Sequence, residues 1–307
     1  MLKQKKILLI IFLITISFIL LKILDFTLYN KYGLGKPILY SSSKQYGYFI
    51  KPNQKVSRKG KNISINNLGM RSQNLSIDKL NKFRILFFGD SVTYGGSLVN
   101  NEDLFSEKIC EKLNEKSNKF ECGNYGTNGY SLFSIIRRIK YTNLENADLI
   151  VLTIIGNNFP RTFHNVLSQP FWSKKIDNFF PALTEVLFIY IDKYRNKFKY
   201  NLGVEDINSA IDLNYYEDLI KNLDQTLKEK DIKFIIFYSP SVDEIINKKN
   251  NYNFKDYLNI FENFYDISDL KKENKESFYF DNIHLNKYGH MIYSKFMTEK
   301  ILLLLKN

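Results

Sequence analysis

No alanine precedes Ala147 in this chain of 307 residues. A small-residue Ala-x-Ala cleavage site is therefore missing near the N-terminus, which argues against a removed signal peptide. Cysteine is equally scarce. Cys110 and Cys122 are the only two, so no lipid-attachment cysteine follows the N-terminal apolar run. Histidine occurs three times, and an imidazole base can come only from His164, His284 or His290. Internal repeats and low-complexity tracts are absent. Acidic residues number 32 against 44 basic ones, for a formal net charge of +12. The basic residues are scattered among Asp and Glu. That pattern is solvated surface with some attraction to anionic lipid or acidic polymer, and not a nucleic-acid footprint.

What is present begins with a membrane signal. Lys3, Lys5 and Lys6 precede an apolar run from Ile7 to Leu21, then Lys22, then Ile23 and Leu24. A spanning helix needs about 20 mostly apolar residues, and Lys22 lies close enough to the end to snorkel. Residues 1–30 are expected to be an uncleaved transmembrane anchor. The preceding lysines place the N-terminus in the cytoplasm and the remainder outside. Residues 31–81, rich in Gly, Pro, Ser, Asn and Lys, are expected to be an extended strap with short strands. Residues 82–307 form the expected domain, with an aromatic insertion at about 159–212 that contains Trp172 and a helix over 183–194.

Hydrophobic residues make up 44% of the chain, enough for a large core. Within the domain, short apolar runs alternate with segments of helical spacing. Strands are expected at 85–88, 120–124, 149–155, 234–238 and 264–267. Helices are expected at 104–113, 131–144, 215–230, 248–264 and 285–305. Strand–helix alternation predicts an α/β fold: a central parallel sheet sandwiched between helices.

Four motifs sit where such a sheet collects them. Gly89-Asp90-Ser91 follows the first strand. Asn124-Tyr125-Gly126-Thr127-Asn128-Gly129 follows the second. Gly156-Asn157-Asn158 follows the third, and Asp281-Asn282-Ile283-His284 precedes the last helix. In a parallel sheet all four land on the carboxyl edge, where ligands bind. A serine hydroxyl is a poor nucleophile until a base takes its proton. His284 can be that base, and Asp281 can fix its tautomer and stabilise the imidazolium. An oxyanion needs fixed donors, which the N–H groups of Ser91 and Gly129 and the Asn158 carboxamide can supply. Each residue has a plainer reading alone: a helix cap for Ser91 and His284, a turn for Asn158. Gly126 competes with Gly129. His164, in the insertion, and His290, within the closing helix, are poorer bases.

Taken together and in this order, the motifs resemble the SGNH (GDSL-type) hydrolase superfamily. The resemblance covers about residues 60–307 and includes the lead-in Asn66-Asn67-Leu68-Gly69-Met70-Arg71. It implies a three-layer α/β/α sandwich of the flavodoxin-like SGNH type. It also implies Ser91 as nucleophile, Asp281 and His284 as its partners, and Ser91, Gly129 and Asn158 as the oxyanion hole. The family often has Gly-x-Asn-Asp, and Phe159 stands here in the last place. In this fold the elements carrying Cys110 and Cys122 pack together, so outside the membrane a disulfide is expected.

The expected function is hydrolysis of an O-acyl ester on a carbohydrate or another envelope component, through an acyl-serine. No cofactor or metal is implied, because side chains fill every role, and no nucleic-acid partner is expected. An O-acyltransferase acting on a cell-surface polysaccharide would share the same intermediate. A non-catalytic tethered binding module is the third possibility, and the intact set of catalytic residue types argues against it.

Overall fold

The computed structural model describes residues 2–306 except 77–78, 80, 116–117, 145, 160, 162–172, 202–212, 248–257 and 271–273. His164, Trp172 and most of the helix expected over 248–264 lie outside the described residues.

The first element is a single helix, α1 (Leu2–Tyr32), apolar over nearly its whole length. It is long and apolar enough to cross a membrane, by length and composition. Two antiparallel hairpins follow in the strap. β1 (Tyr40–Ser43) pairs with β2 (Gly47–Ile50), and β3 (Gln54–Arg58) pairs with β4 (Lys61–Ile65). Gly47 and Gly60 take positive φ at their turns, where a Cβ would be strained. Ile38, Tyr40, Ile50, Ile63 and Ile65 bury against Tyr94 of the domain. The strap is thus folded onto the domain.

The domain carries a five-stranded parallel sheet. Its strands are β5 (Phe83–Phe88), β6 (Phe120–Asn124), β7 (Leu149–Ile154), β8 (Lys233–Tyr238) and β9 (Phe264–Asp266). They lie in the order β6-β5-β7-β8-β9, which is 2-1-3-4-5 in chain order within the domain. Helices cover both faces. α3 (Phe105–Asn114) and α8 (Lys287–Lys306) lie on one side, and α4 (Leu132–Tyr141) and α6 (Leu213–Glu229) on the other.

The strand sequences explain this layering. Successive side chains point to opposite faces. Ile85, Phe87, Val151, Ile235 and Phe237 therefore pack with Ile109 of α3 and Met297 and Ile301 of α8. Leu86, Phe88, Ile150, Leu152 and Ile236 pack with Ile135 and Ile139 of α4 and Leu223 of α6. A strand buried on both faces reads as an unbroken apolar run, as β7 does. The three-layer sandwich expected from the sequence is the observed fold.

Some boundaries differ. The helix expected from Leu104 begins at Phe105, after a 3₁₀ turn at Asn101–Asp103. The helix of the insertion is longer than its apolar stretch, running as α5 (Pro181–Asn201). Two short helices complete the carboxyl edge: α2 (Ser91–Tyr94) after β5 and α7 (Val242–Asn247) after β8. Cys110 of α3 and Cys122 of β6 are bridged, with Cα atoms 5.9 Å apart.

Candidate active site

Ser91 is the first residue of α2, immediately beyond β5. The chain turns sharply here because Gly89 allows it: a Cβ at Gly89 would stand 2.0 Å from Thr93 Oγ1. Asp90 caps α2, its carboxylate accepting from the Val92 N–H at 3.0 Å. Helix starts leave backbone N–H groups unsatisfied, and an Asp at the cap takes one of them.

The turn Asp281–His284 comes from the far end of the chain. A β-bridge between Tyr279 and Leu285 closes its base, and Phe280 N–H donates to His284 O at 2.7 Å. Asn282 fastens it to α7, its carbonyl accepting from Val242 N–H at 2.8 Å. Beneath it, Tyr279 donates to Pro240 O at 2.6 Å and lies 2.6 Å from the Tyr293 hydroxyl.

This framework brings the three side chains into a line. His284 Nε2 lies 2.9 Å from Ser91 Oγ. His284 Nδ1 lies 2.8 Å from Asp281 Oδ2. Asp281 Oδ1 also accepts from the backbone N–H groups of His284 at 2.8 Å and Ile283 at 3.0 Å. Burial raises the Asp281 carboxyl, but these donors outweigh it and hold the group below its ordinary value. An ionised Asp281 favours the imidazole tautomer with Nδ1 protonated, which leaves Nε2 able to accept the serine proton.

The oxyanion candidates lie on two loops. Gly129 has φ +76, a left-handed conformation suited to glycine. Its backbone N–H and that of Ser91 make no hydrogen bond among the described residues. The Gly126 N–H is already committed to Asn124 Oδ1 at 2.9 Å, so the two glycines differ. Gly126 serves close packing instead, since a Cβ there would stand 2.3 Å from Tyr94 N.

Asn158 is fully buried. Its Oδ1 accepts from Ile155 N–H at 2.7 Å, and its Nδ2 donates to Tyr130 O at 3.0 Å. A carboxamide has two N–H donors, so one remains. The turn reading and the donor reading of Asn158 are therefore compatible.

His290 lies within α8. It is fully buried, and its Nδ1 accepts from Phe105 N–H at 3.2 Å. Burial, with Arg71 nearby, pushes the imidazole down to about 3, so it stays neutral. Among the described residues no group of three His, Cys, Asp or Glu is arranged to hold a metal ion.

Four residues around the site have no role in the sequence reading. Asn124 Nδ2 donates to Thr93 O at 2.8 Å and to Ser106 Oγ at 2.9 Å, pinning α2 to α3. Arg71, fully buried, donates to Tyr94 O at 2.7 Å and Val99 O at 2.6 Å, and so holds the far end of α2. Arg161 pairs with Asp90 at 2.6 Å and donates to Tyr130 O at 3.0 Å, linking the insertion to both loops. Tyr48 of β2 donates to Asn128 O, and a Cβ on Gly129 would stand 3.0 Å from its hydroxyl. Asn124 and Arg71 stand within the motifs at 124–129 and 66–71, and that placement is the signal the sequence carries for them. Arg161 and Tyr48 left none, because their partners are 71 and 80 residues away.

With a five-stranded parallel sheet between two helical layers, the chain is an α/β protein. It belongs to the GDSL-like Lipase/Acylhydrolase family, whose model matches residues 85–296. It is accordingly an ester-hydrolysing enzyme. No curated protein matches the chain. Among solved structures it is similar to an acetylxylan esterase from Geobacillus stearothermophilus, with 17% identity over 73% of this chain and 96% of that one, at a TM-score of 0.47. The lipase/acylhydrolase from Enterococcus faecalis has 14% identity over 71% and 95%, at a TM-score of 0.45.

Proposed function

We propose that the protein is a membrane-anchored extracytoplasmic serine esterase that removes an O-acyl group from a carbohydrate or another envelope component. The observation that carries this reading is the 2.9 Å approach of His284 Nε2 to Ser91 Oγ, with Asp281 on the opposite ring nitrogen.

Ser91 Oγ attacks the ester carbonyl while His284 Nε2 takes its proton. Asp281 stabilises the imidazolium so formed. The charge that develops on the carbonyl oxygen is met by the N–H groups of Ser91 and Gly129 and the second N–H of Asn158. As the tetrahedral intermediate collapses, His284 gives its proton to the leaving alcohol and the acyl group stays on Ser91. Water then attacks the acyl-serine, with His284 again as base, releasing the carboxylic acid and restoring the hydroxyl. Every proton in this cycle moves through His284 Nε2.

Anchoring through α1 is supported by its length, its apolar surface and the lysines ahead of it. Those lysines favour a cytoplasmic N-terminus and an external domain. An external domain would meet acylated envelope material rather than cytoplasmic metabolites, which is the ground for the proposed substrate class.

The test is labelling of Ser91 with a fluorophosphonate probe, followed by assay on acetylated glycans with and without a second glycan as acceptor. Labelling with release of free acetate supports the esterase. Transfer of acetate to the acceptor in preference to water would replace it with an acyltransferase. Failure of Ser91 to label would remove the catalytic reading.

A further inference from the structure

The segment Phe179–Ile191 exposes much apolar surface, at Phe179 and from Val186 onward. Six consecutive apolar residues, Val186 to Ile191, are all exposed, with Leu187 at 58% and Tyr190 at 73%. A patch this continuous marks an interaction surface. Yet the other side of the same helix is firmly held. Glu185, fully buried, pairs with Arg58 of the strap and accepts from Gly35 N–H at 2.5 Å. The exposed apolar residues are thus presented by a fixed helix.

What α5 touches identifies its surroundings. Within the apolar stretch of α1 only Lys22 and Asp25 carry charge between Ile7 and Asn30. Both are answered by the start of α5. Asp25 is 2% exposed, and its carboxylate accepts from Leu183 N–H at 2.9 Å. Lys22 donates to Phe179 O and sits 4.1 Å from the centre of the Phe179 ring. Phe18 stacks on Phe179 at 5.5 Å and meets Phe180 edge-on at 5.5 Å. Charged groups at membrane depth are costly unless paired with one another or with neighbouring backbone. The start of α5 supplies that pairing at the level of Phe18 to Asp25, inside the apolar stretch.

We propose that Phe179–Ile191 is a second membrane element, embedded beside α1 in the leaflet through which α1 emerges. The proposal rests on the reading of α1 as a span. Pro181–Ile191 extends about 16 Å, half of what a crossing requires, so the segment lies within one leaflet. The occupant of the apolar face is therefore lipid acyl chain.

The experiment uses the full chain reconstituted into phosphatidylcholine vesicles containing phosphatidylglycerol. Single cysteines are placed at Ile14→Cys in α1, Leu187→Cys in α5 and Ile260→Cys in the domain, each carrying an environment-sensitive fluorophore. Tyr190→Cys serves as a second position in α5. Retained hydrolysis of p-nitrophenyl acetate shows that each variant is folded. Nitroxide-labelled lipid is expected to quench the labels at Ile14 and Leu187 and to spare the one at Ile260. Quenching at Ile14 with none at Leu187 and Tyr190 would overturn the α5 assignment and leave the anchor standing. No quenching at Ile14 or in α5 would overturn the anchor reading and this proposal with it. Cross-linking between the Leu187→Cys labels of two molecules, without lipid quenching, would show a second copy on the face and equally overturn it.

Discussion

Asn158 donates from Nδ2 to the backbone carbonyl of Tyr130 across 3.0 Å, tying the end of β7 to the loop that follows β6. Those two loops carry two of the three proposed oxyanion donors. Their spacing is therefore set by the side chain of one of the donors.

Replacing Asn158 with alanine is expected to have two effects at once. Loss of the remaining N–H should lower kcat by on the order of 10²–10³, with a smaller change in KM. The buried Ile155 N–H and Tyr130 carbonyl would also lose partners, lowering stability by about 1–3 kcal/mol. The check is kcat on active-site-titrated enzyme alongside the thermal midpoint. A lowered midpoint with kcat unchanged would make Asn158 purely structural.

Asp281→Asn should leave the fold intact, because a carboxamide oxygen can still accept from the N–H groups of His284 and Ile283. The imidazole would lose its anionic partner, and kcat is expected to fall by on the order of 10⁴. Thermal melts should superimpose on those of the wild type. A loss below tenfold would separate Asp281 from the proton transfer.

Tyr48 tests the strap as part of the site. Tyr48→Phe removes one hydrogen bond to Asn128 O and keeps the ring, which packs edge-on against Tyr130 at 5.0 Å. A net hydrogen bond of 0.5–1.5 kcal/mol corresponds to a roughly two- to tenfold fall in kcat if that bond positions the Gly129 loop. The midpoint should shift little. A lowered midpoint with unchanged kcat would reduce Tyr48 to a packing residue.

The pH dependence of stability should carry a signature of Glu107. Burial pushes its carboxyl up to about 7, with Arg71 pulling the other way, and its Oε1 has no hydrogen-bond partner among the described residues. In the unfolded chain a glutamate titrates near ~4.3. Between these values the folded state holds a proton that the unfolded state has released, so stability falls as pH rises. Thermal midpoints measured from pH 5 to 8 should decline less in Glu107→Gln than in the wild type. Equal slopes would mean that Glu107 does not titrate in this window.

The bridge between Cys110 and Cys122 closes a short loop, at a sequence separation of 12. In the chain-entropy model its loss costs roughly 3 kcal/mol. Alkylation without reduction, on protein from its native compartment, should leave both residues unmodified. The double serine variant should unfold at lower denaturant. Ready alkylation of both thiols would show that the bridge does not form there.

The sheet was legible because its strands are buried on both faces. Residues 149–154 carry no charged side chain to blur the run, and Gly156 marks where it stops. Ser91, Asp281 and His284 were legible because each motif follows a strand or precedes a helix, and parallel topology sends all of them to one edge. Arg161 and Tyr48 were not legible for the opposite reason. Neither sits at a strand end, and each meets its partner only after the insertion and the strap have packed. The helix start at Phe105 was misplaced by one residue because Asn101–Asp103 satisfies the first acidic turn as 3₁₀ instead.

The strap hairpin has a consequence for modularity. The family match begins at residue 85, yet Tyr40, Tyr48 and Arg71 hold the loop bearing Gly129 and the helix bearing Ser91. The boundary of resemblance is not the boundary of the working unit. Stalk and domain work as one block: a version severed at the family boundary would begin inside β5 and would lose the contacts that Tyr40, Tyr48 and Arg71 make with that loop and that helix.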